Sequence, residues 1–289
     1  MTEWILWAAG FDCPLEERAA AARDAGCGHV SLTRADLESA EPADVARRVR
    51  DQGVEGSVLD GLVKWLPGRD RPGAADDLGE NDAIVAAAEA AGVASINVLA
   101  MRPSELPVAE LARHFGALCD RAAPAGIRLH IEFAPGAGVP DLASAWEMVQ
   151  AADRPNGGIL FDTWHFTRSG SSLETLAAIP GERIFAVQVS DTAPEPSGTI
   201  FDETLHRRRL PGDGSIDFPA VASVLLRTGA LGLVGPEVLS DEQRALPPAQ
   251  AAALAVERSR TALGFAESVL FHACLTSSDD VQQARNAKS

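Results

Sequence analysis

Short apolar runs that break off at a single polar residue recur along this chain, and their spacing limits what it can fold into. Leu129-His130-Ile131 stops at Glu132, Ile159-Leu160-Phe161 at Asp162, and Ile184-Phe185-Ala186-Val187 at Gln188; Leu231-Gly232-Leu233-Val234 passes through Gly235-Pro236 to Glu237. Short runs of this kind, bounded by glycine, suit parallel strands buried on both faces. Strands are expected at 5–9, 29–32, 54–59, 94–99, 127–133, 159–161, 184–189 and within 231–239. Helical stretches separate them at 15–25, 42–50, 81–91, 106–123, 142–151, 173–178, between 217 and 229, and from 247 to about 272. Pro14 is placed at the first helical position and Gly26 just past the end, the usual punctuation of a helix. Strands alternating with helices imply parallel pairing through right-handed crossovers. Eight such units predict an α/β chain closed as a (β/α)8 TIM barrel. An open doubly wound sheet is the rival, but no G-x-G-x-x-G follows the first run.

The length of 289 residues is compatible with one domain, because such barrels run to about 250 residues. The barrel is expected over residues 1–275, with a polar, disordered tail at 276–289. Hydrophobic residues make up 46% but aromatics only 5%, so Ala, Leu and Val must build the core. A net charge of −16 opposes binding to a phosphate backbone, so nucleic acid is not an expected partner. The cysteines at 13, 27, 119 and 274 form no C-x-x-C pair and read as reduced thiols. No run approaches the length of a membrane span, and the chain is expected to be soluble and cytoplasmic. The connections at 60–80 and 191–213 are long for a compact domain, which marks them as functional or mobile.

In a barrel the fifth to eighth strands are neighbours, and their carboxyl ends open on one face. Glu132, Asp162, Gln188 and Glu237 then converge. Taken singly, a Glu at a strand end is an ordinary cap or ion-pair partner, a Gln a satisfied core amide, and His165 a core imidazole. Four polar residues at matching places in successive units favour one shared site. Carboxylates that close repel unless something neutralises them. A divalent cation does so, and all-oxygen ligation favours Mg²⁺ or Mn²⁺, one per chain. His165, three residues after Asp162, is placed to act as an acid–base group, as are the carboxylates Glu132 and Glu237.

These residues sit in H-I-E-F, I-L-F-D-T-W-H, V-Q-V-S-D, R-R-L-P-G-D-G and P-E-V-L-S. Through them the chain resembles, over nearly its whole length, the xylose isomerase-like TIM barrel superfamily. That group holds sugar phosphate isomerases and epimerases, inosose dehydratases and dehydroshikimate dehydratases. The resemblance implies that Glu132, Asp162, Gln188 and Glu237 bind a divalent metal and that His165 contacts the reacting substrate. It departs from the sugar epimerases twice. Gln188 stands where many carry His, as in the dehydroshikimate dehydratase branch, and 133–141 offers no acid before Asp141.

The expected activity is a metal-dependent sugar or sugar phosphate isomerase or epimerase, moving a proton beside a carbonyl through an enediolate. A lyase of the 3-dehydroshikimate or inosose dehydratase type is the alternative, and a non-catalytic barrel subunit of a larger complex a third. The related endonuclease IV needs a crowd of histidines, whereas this chain has six in all. The expected partner is a small molecule: a sugar, a sugar phosphate or a cyclic hydroxy-keto acid. Arg208 is the candidate to clamp a carboxylate or phosphate, with Arg168, Lys64 and Trp65 as further substrate contacts and Arg207 and Arg209 left to solvent. Trp164 and Phe166 are expected to pack, and a homo-oligomer is compatible with the sequence.

Overall fold

The computed structural model describes residues 1–66, 78–101 and 103–265. Eight strands close into a barrel in chain order: β1 (Glu3–Leu6), β2 (His29–Thr33), β3 (Glu55–Leu62), β4 (Ser95–Leu99), β5 (Arg128–Glu132), β6 (Gly157–Asp162), β7 (Ile184–Val189) and β8 (Leu233–Pro236). All pairs are parallel, and β1 seals against β8 with Glu3 opposite Leu233 and Trp4 opposite Val234. The (β/α)8 TIM barrel is therefore the fold. Its helices wrap the outside, and alternate strand residues such as Leu129, Ile131, Ile159 and Phe161 pack outward beneath them.

The other alternate residues point inward. Ile5, Trp7, Val58, Leu160, Ala186 and Leu233 form a separate apolar plug inside the barrel. Side chains two positions apart share a face of a strand. One step beyond Val58, Leu160 and Ala186 therefore come Asp60, Asp162 and Gln188, directly above the plug. By the same rule Asn97 and Glu132 follow Ser95 and His130. The change from apolar to polar along each strand thus builds a polar layer at the carboxyl-end mouth.

Several boundaries differ from expectation. The run 5–9 does not stay extended: β1 ends at Leu6, and Ala8–Gly10 form a 3-10 turn. Pro14 is the N-cap, and the helix runs Leu15–Asp24. β3 continues to Leu62, so Asp60 belongs to a strand and not to the loop. The last described helix is Pro248–Ala262; the stretch expected to stay helical to 272, Cys274 and the tail at 276–289 extend outside the described residues. Four short helices follow strands where loops were expected: Arg34–Glu38, Thr163–Arg168, Ile200–His206 and Asp241–Arg244. Local caps explain three of them. Thr33 and Asp36 make a capping box, Asp162 accepts from the His165 N–H, and Thr199 accepts from the Asp202 N–H. Among the described residues no helix is long and apolar enough to cross a membrane.

Candidate functional site

The polar layer is bonded together across the mouth. The Asn97 amide donates to Asp60 Oδ1 at 2.9 Å and to Glu132 Oε2 at 2.6 Å, bridging two carboxylates. Gln188 Nε2 donates to Glu237 Oε1 at 2.8 Å. His165 Nε2 lies 3.3 Å from Glu132 Oε1. Its position follows from the Asp162 cap, since the carboxylate that starts the short helix also fixes the backbone of the residue three further on, at 2.7 Å. One atom each of Glu132, Asp162 and His165 lie within 4.8 Å of one another, a grouping able to hold a metal ion. His165 thus stands among the candidate ligands as well as the candidate acid–base groups.

Arg208 is the buried cation of the site, 3% exposed. Its backbone N–H donates to Leu239 O, and Arg209 exchanges backbone hydrogen bonds with Asp191. The segment is therefore held extended, so successive side chains alternate: Arg208 turns inward while Arg207 and Arg209 are exposed. Asp191 anchors the following turn by accepting from the N–H groups of Gly212, Gly214 and Ile216. A Cβ on Gly214 would fall 2.2 Å from Thr192 O, so the turn needs glycine there.

Arg208 Nη1 donates to Asp162 Oδ2 at 2.7 Å and to Glu237 Oε2 at 3.1 Å. Nη2 lies 3.3 Å from His165 Nε2, and the guanidinium covers the Trp164 ring at 5.2 Å. This corrects the picture of carboxylates free for an ion, because two of them already engage an arginine. Burial alone would lower the Arg208 pKa, but Asp162, Glu237 and Glu132 outweigh it and hold the group charged.

One guanidinium does not neutralise Asp60, Glu132, Asp162 and Glu237. Burial lifts the Glu237 carboxyl well above its ordinary range, with repulsion from Glu132 and Asp60 opposing the pull of Arg208. Burial and then Glu132 push Asp60 up to about 6. Gln188 Oε1 is buried and without a hydrogen-bond partner. Surplus negative charge, an orphaned amide oxygen and the Glu132–Asp162–His165 grouping all fit a divalent cation. His130, also inside the barrel, is a different case. Burial and Arg128 lower its pKa to about 3, so it is a neutral core imidazole.

A cavity of about 300 Å³ opens above these groups, lined by Asp60, Glu132, His165, Arg208 and Glu237 and walled by apolar side chains including Met101, Pro135 and Phe201. Trp164 also faces it, whereas Phe166 packs on Phe161. Three expected substrate contacts lie elsewhere. Lys64 is half-exposed beside Glu80, 3.7 Å away. Trp65 is buried against Phe115, its Nε1 donating to Leu99 O at 2.9 Å. Arg168 is bound to Glu203 and to Ala193 O, pinning the loop that carries helix Ile200–His206. Asp60 and Asn97 were missed. Their signal was present, as the third run also breaks off at an acid and the fourth carries a lone amide among Ile96 and Val98.

The sequence model of the xylose isomerase-like TIM barrel family matches residues 19–262. An inosose isomerase of Bacillus velezensis is 29% identical over 207 residues, covering 69% of this chain and 72% of that protein. The inosose isomerase of Bacillus subtilis is 35% identical over 127 residues, 43% of this chain and 45% of that protein. A 3-dehydroshikimate dehydratase of Pseudomonas aeruginosa is 30% identical over 245 residues; the match takes in 81% of this chain but only 37% of the longer relative. Among solved structures, an IolI protein with a bound zinc atom superposes with a TM-score of 0.81 at 24% identity, covering 91% of this chain and 98% of that one. L-ribulose 3-epimerase gives 0.72 at 17%, with 94% and 98% covered. These two likenesses concern the fold, and the three curated relatives are enzymes. With the family match spanning most of its length, this chain belongs to the xylose isomerase-like TIM barrel family.

Proposed function

We propose that the protein is a divalent-metal-dependent isomerase of hydroxy-ketones, of the kind that takes the proton from the hydroxyl-bearing carbon beside a carbonyl and returns it to the former carbonyl carbon through an enediolate. The observation that carries this reading is His165 Nε2, aimed into the cavity between Glu132 Oε1 and Arg208 Nη2, at 3.3 Å from each. Glu132, Asp162, Gln188 and Glu237 are the residues that would hold the ion, with His165 adjoining them; the oxygen-rich set favours Mn²⁺ or Mg²⁺. A bound divalent cation supplies Lewis acidity, polarising a carbonyl and stabilising negative charge on its oxygen.

The chain's own groups do the rest. His165 presents Nε2 to the proton beside the carbonyl and removes it. Glu132 steadies the imidazolium so formed, and His165 then returns the proton to the neighbouring carbon. Arg208 remains charged and favours an oxyanion in the cavity. Trp164 and the apolar wall exclude water from the reacting carbons.

A dehydratase is the second reading. It is supported by Gln188 and by the dehydratase relative, whose match covers more of this chain than those of the two isomerases described. Both readings share proton removal and differ in whether a β-hydroxyl then leaves. The protein loaded with Mn²⁺ in deuterated water should exchange the proton beside the carbonyl of an inosose, followed by NMR, with a rearranged inosose as product. 3-Dehydroshikimate developing protocatechuate absorbance, with inosose inert, would replace the isomerase by the lyase. His165→Asn should slow exchange about 100-fold or more, and a wild-type rate would remove His165 from the mechanism.

A further inference from the structure

Asp60 has no part in the mechanism above, yet it faces the same cavity as Glu132, His165 and Glu237. It stands on β3, two strands from Glu132, and lies outside the Glu132–Asp162–His165 grouping. Asn97, on the strand between, fixes it by donating to Oδ1 at 2.9 Å. Among the described residues no arginine, lysine or histidine lies within ion-pair distance of it, and no protein donor is bonded to Oδ2. Among the described residues the fold therefore leaves one oxygen of this carboxylate unspent at the wall of the cavity. An ionised carboxylate can only accept hydrogen bonds, so what completes it in a filled cavity is a donor from the ligand.

We propose that Asp60 is a specificity-determining residue that accepts a hydrogen bond from a substrate hydroxyl other than those at the reacting carbons, so that the enzyme selects ring compounds hydroxylated beyond the carbonyl-adjacent pair. The inference rests on the functional reading above for the location of the metal and the reacting carbons. Asn97 is the positioning residue, because its single amide nitrogen also donates to Glu132 and fixes the distance between the hydroxyl-binding acid and the base's partner. The apolar side chains lining the cavity, Met101, Pro135 and Phe201 among them, suit the C–H face of a six-membered ring. A ring held at a second point turns one carbon to His165 and not its neighbours, which is how a contact away from the reacting carbons raises the rate.

The test is binding of unreactive rings to the Mn²⁺-loaded full chain, by calorimetry. Myo-inositol and shikimate carry hydroxyls around the ring, the first neutral and the second acidic; cyclohexane-1,2-diol carries only one vicinal pair. Asp60→Asn should weaken whichever of the two polyhydroxylated rings binds by at least about tenfold, the loss of a hydrogen bond to a charged acceptor. It should leave the diol affinity and the manganese content unchanged. Asp60→Ala should repeat the result. Equal weakening of diol and polyol, a fall in manganese content, unaltered polyol affinity, or no polyol binding to the wild type would each overturn the proposal. Asp60-dependent binding in a protein that turns over neither inosose nor dehydroshikimate would instead sink the functional reading and leave this one standing.

Discussion

Asp60 and Arg208 show what a concentration of acids in a barrel mouth does to single residues. The folded-state pKa of Asp60, about 6, lies above the ordinary value of about 3.9 for an unfolded aspartate. A group raised on folding stabilises the fold fully below its unfolded pKa, and that contribution is lost as pH rises through the folded one. The metal-free protein should therefore lose up to about 3 kcal/mol from this residue between about pH 4 and 7. Asp60→Asn should be the more stable protein at pH 7 and close to wild type at pH 4, as urea unfolding at the two values would show. The opposite sign belongs to Arg208. Removing the partner of a buried pair leaves uncompensated charge and costs about 3–5 kcal/mol, so Arg208→Met should markedly destabilise the metal-free protein. Added Mn²⁺ should restore part of the loss, because the ion takes over as counter-charge; a denaturation midpoint indifferent to Mn²⁺ would refute that account.

At the scale of elements, the seam between β1 and β8 carries the tightest packing near the site. A Cβ on Gly235 would fall 1.7 Å from Ile5 O, whereas one on Gly232 meets nothing within 4 Å. Overpacking of this kind costs about 1–3 kcal/mol and occasionally more. Gly235→Ala should lower the melting temperature and, by displacing Glu237 two residues on, reduce metal content. Gly232→Ala should do neither, and equal melting curves for the two variants would show that the seam yields. The short helices on the mouth follow a similar logic. Thr163–Arg168 exists because Asp162 caps it, so the acid that joins the site also orients the histidine beside it.

For the whole molecule, an ion that binds only the folded barrel adds stability in proportion to the logarithm of its concentration, about 2.7 kcal/mol at a hundred times its Kd. Mn²⁺ should therefore raise the melting temperature and a chelator should reverse the rise, while Glu237→Gln should blunt both. Much of this was legible in the chain. The barrel could be read because each strand and helix is a local pattern, and the residues at the ends of β5 to β8 because a lone polar residue closing an apolar run stands out. Asp60 ends the third apolar run in the same way, but with the strand running on past it to Leu62 it read as the start of a loop. Lys64, Trp65 and Arg168 were misplaced because the partners that decide them, Glu80, Leu99 and Glu203, are distant in sequence and visible only once the chain is folded.

The strap of Arg207 to Arg209 has one more consequence. It hangs between Asp191, just past β7, and Leu239 and Ser240, just past β8, and Glu237 itself follows β8 directly. A chain emerging from the ribosome would have Glu132 and Asp162 long before either the last acid or the anchor for the arginine. Such a chain is a trap with no latch. A fragment ending before β8 should therefore neither retain manganese nor hold Arg208 in place.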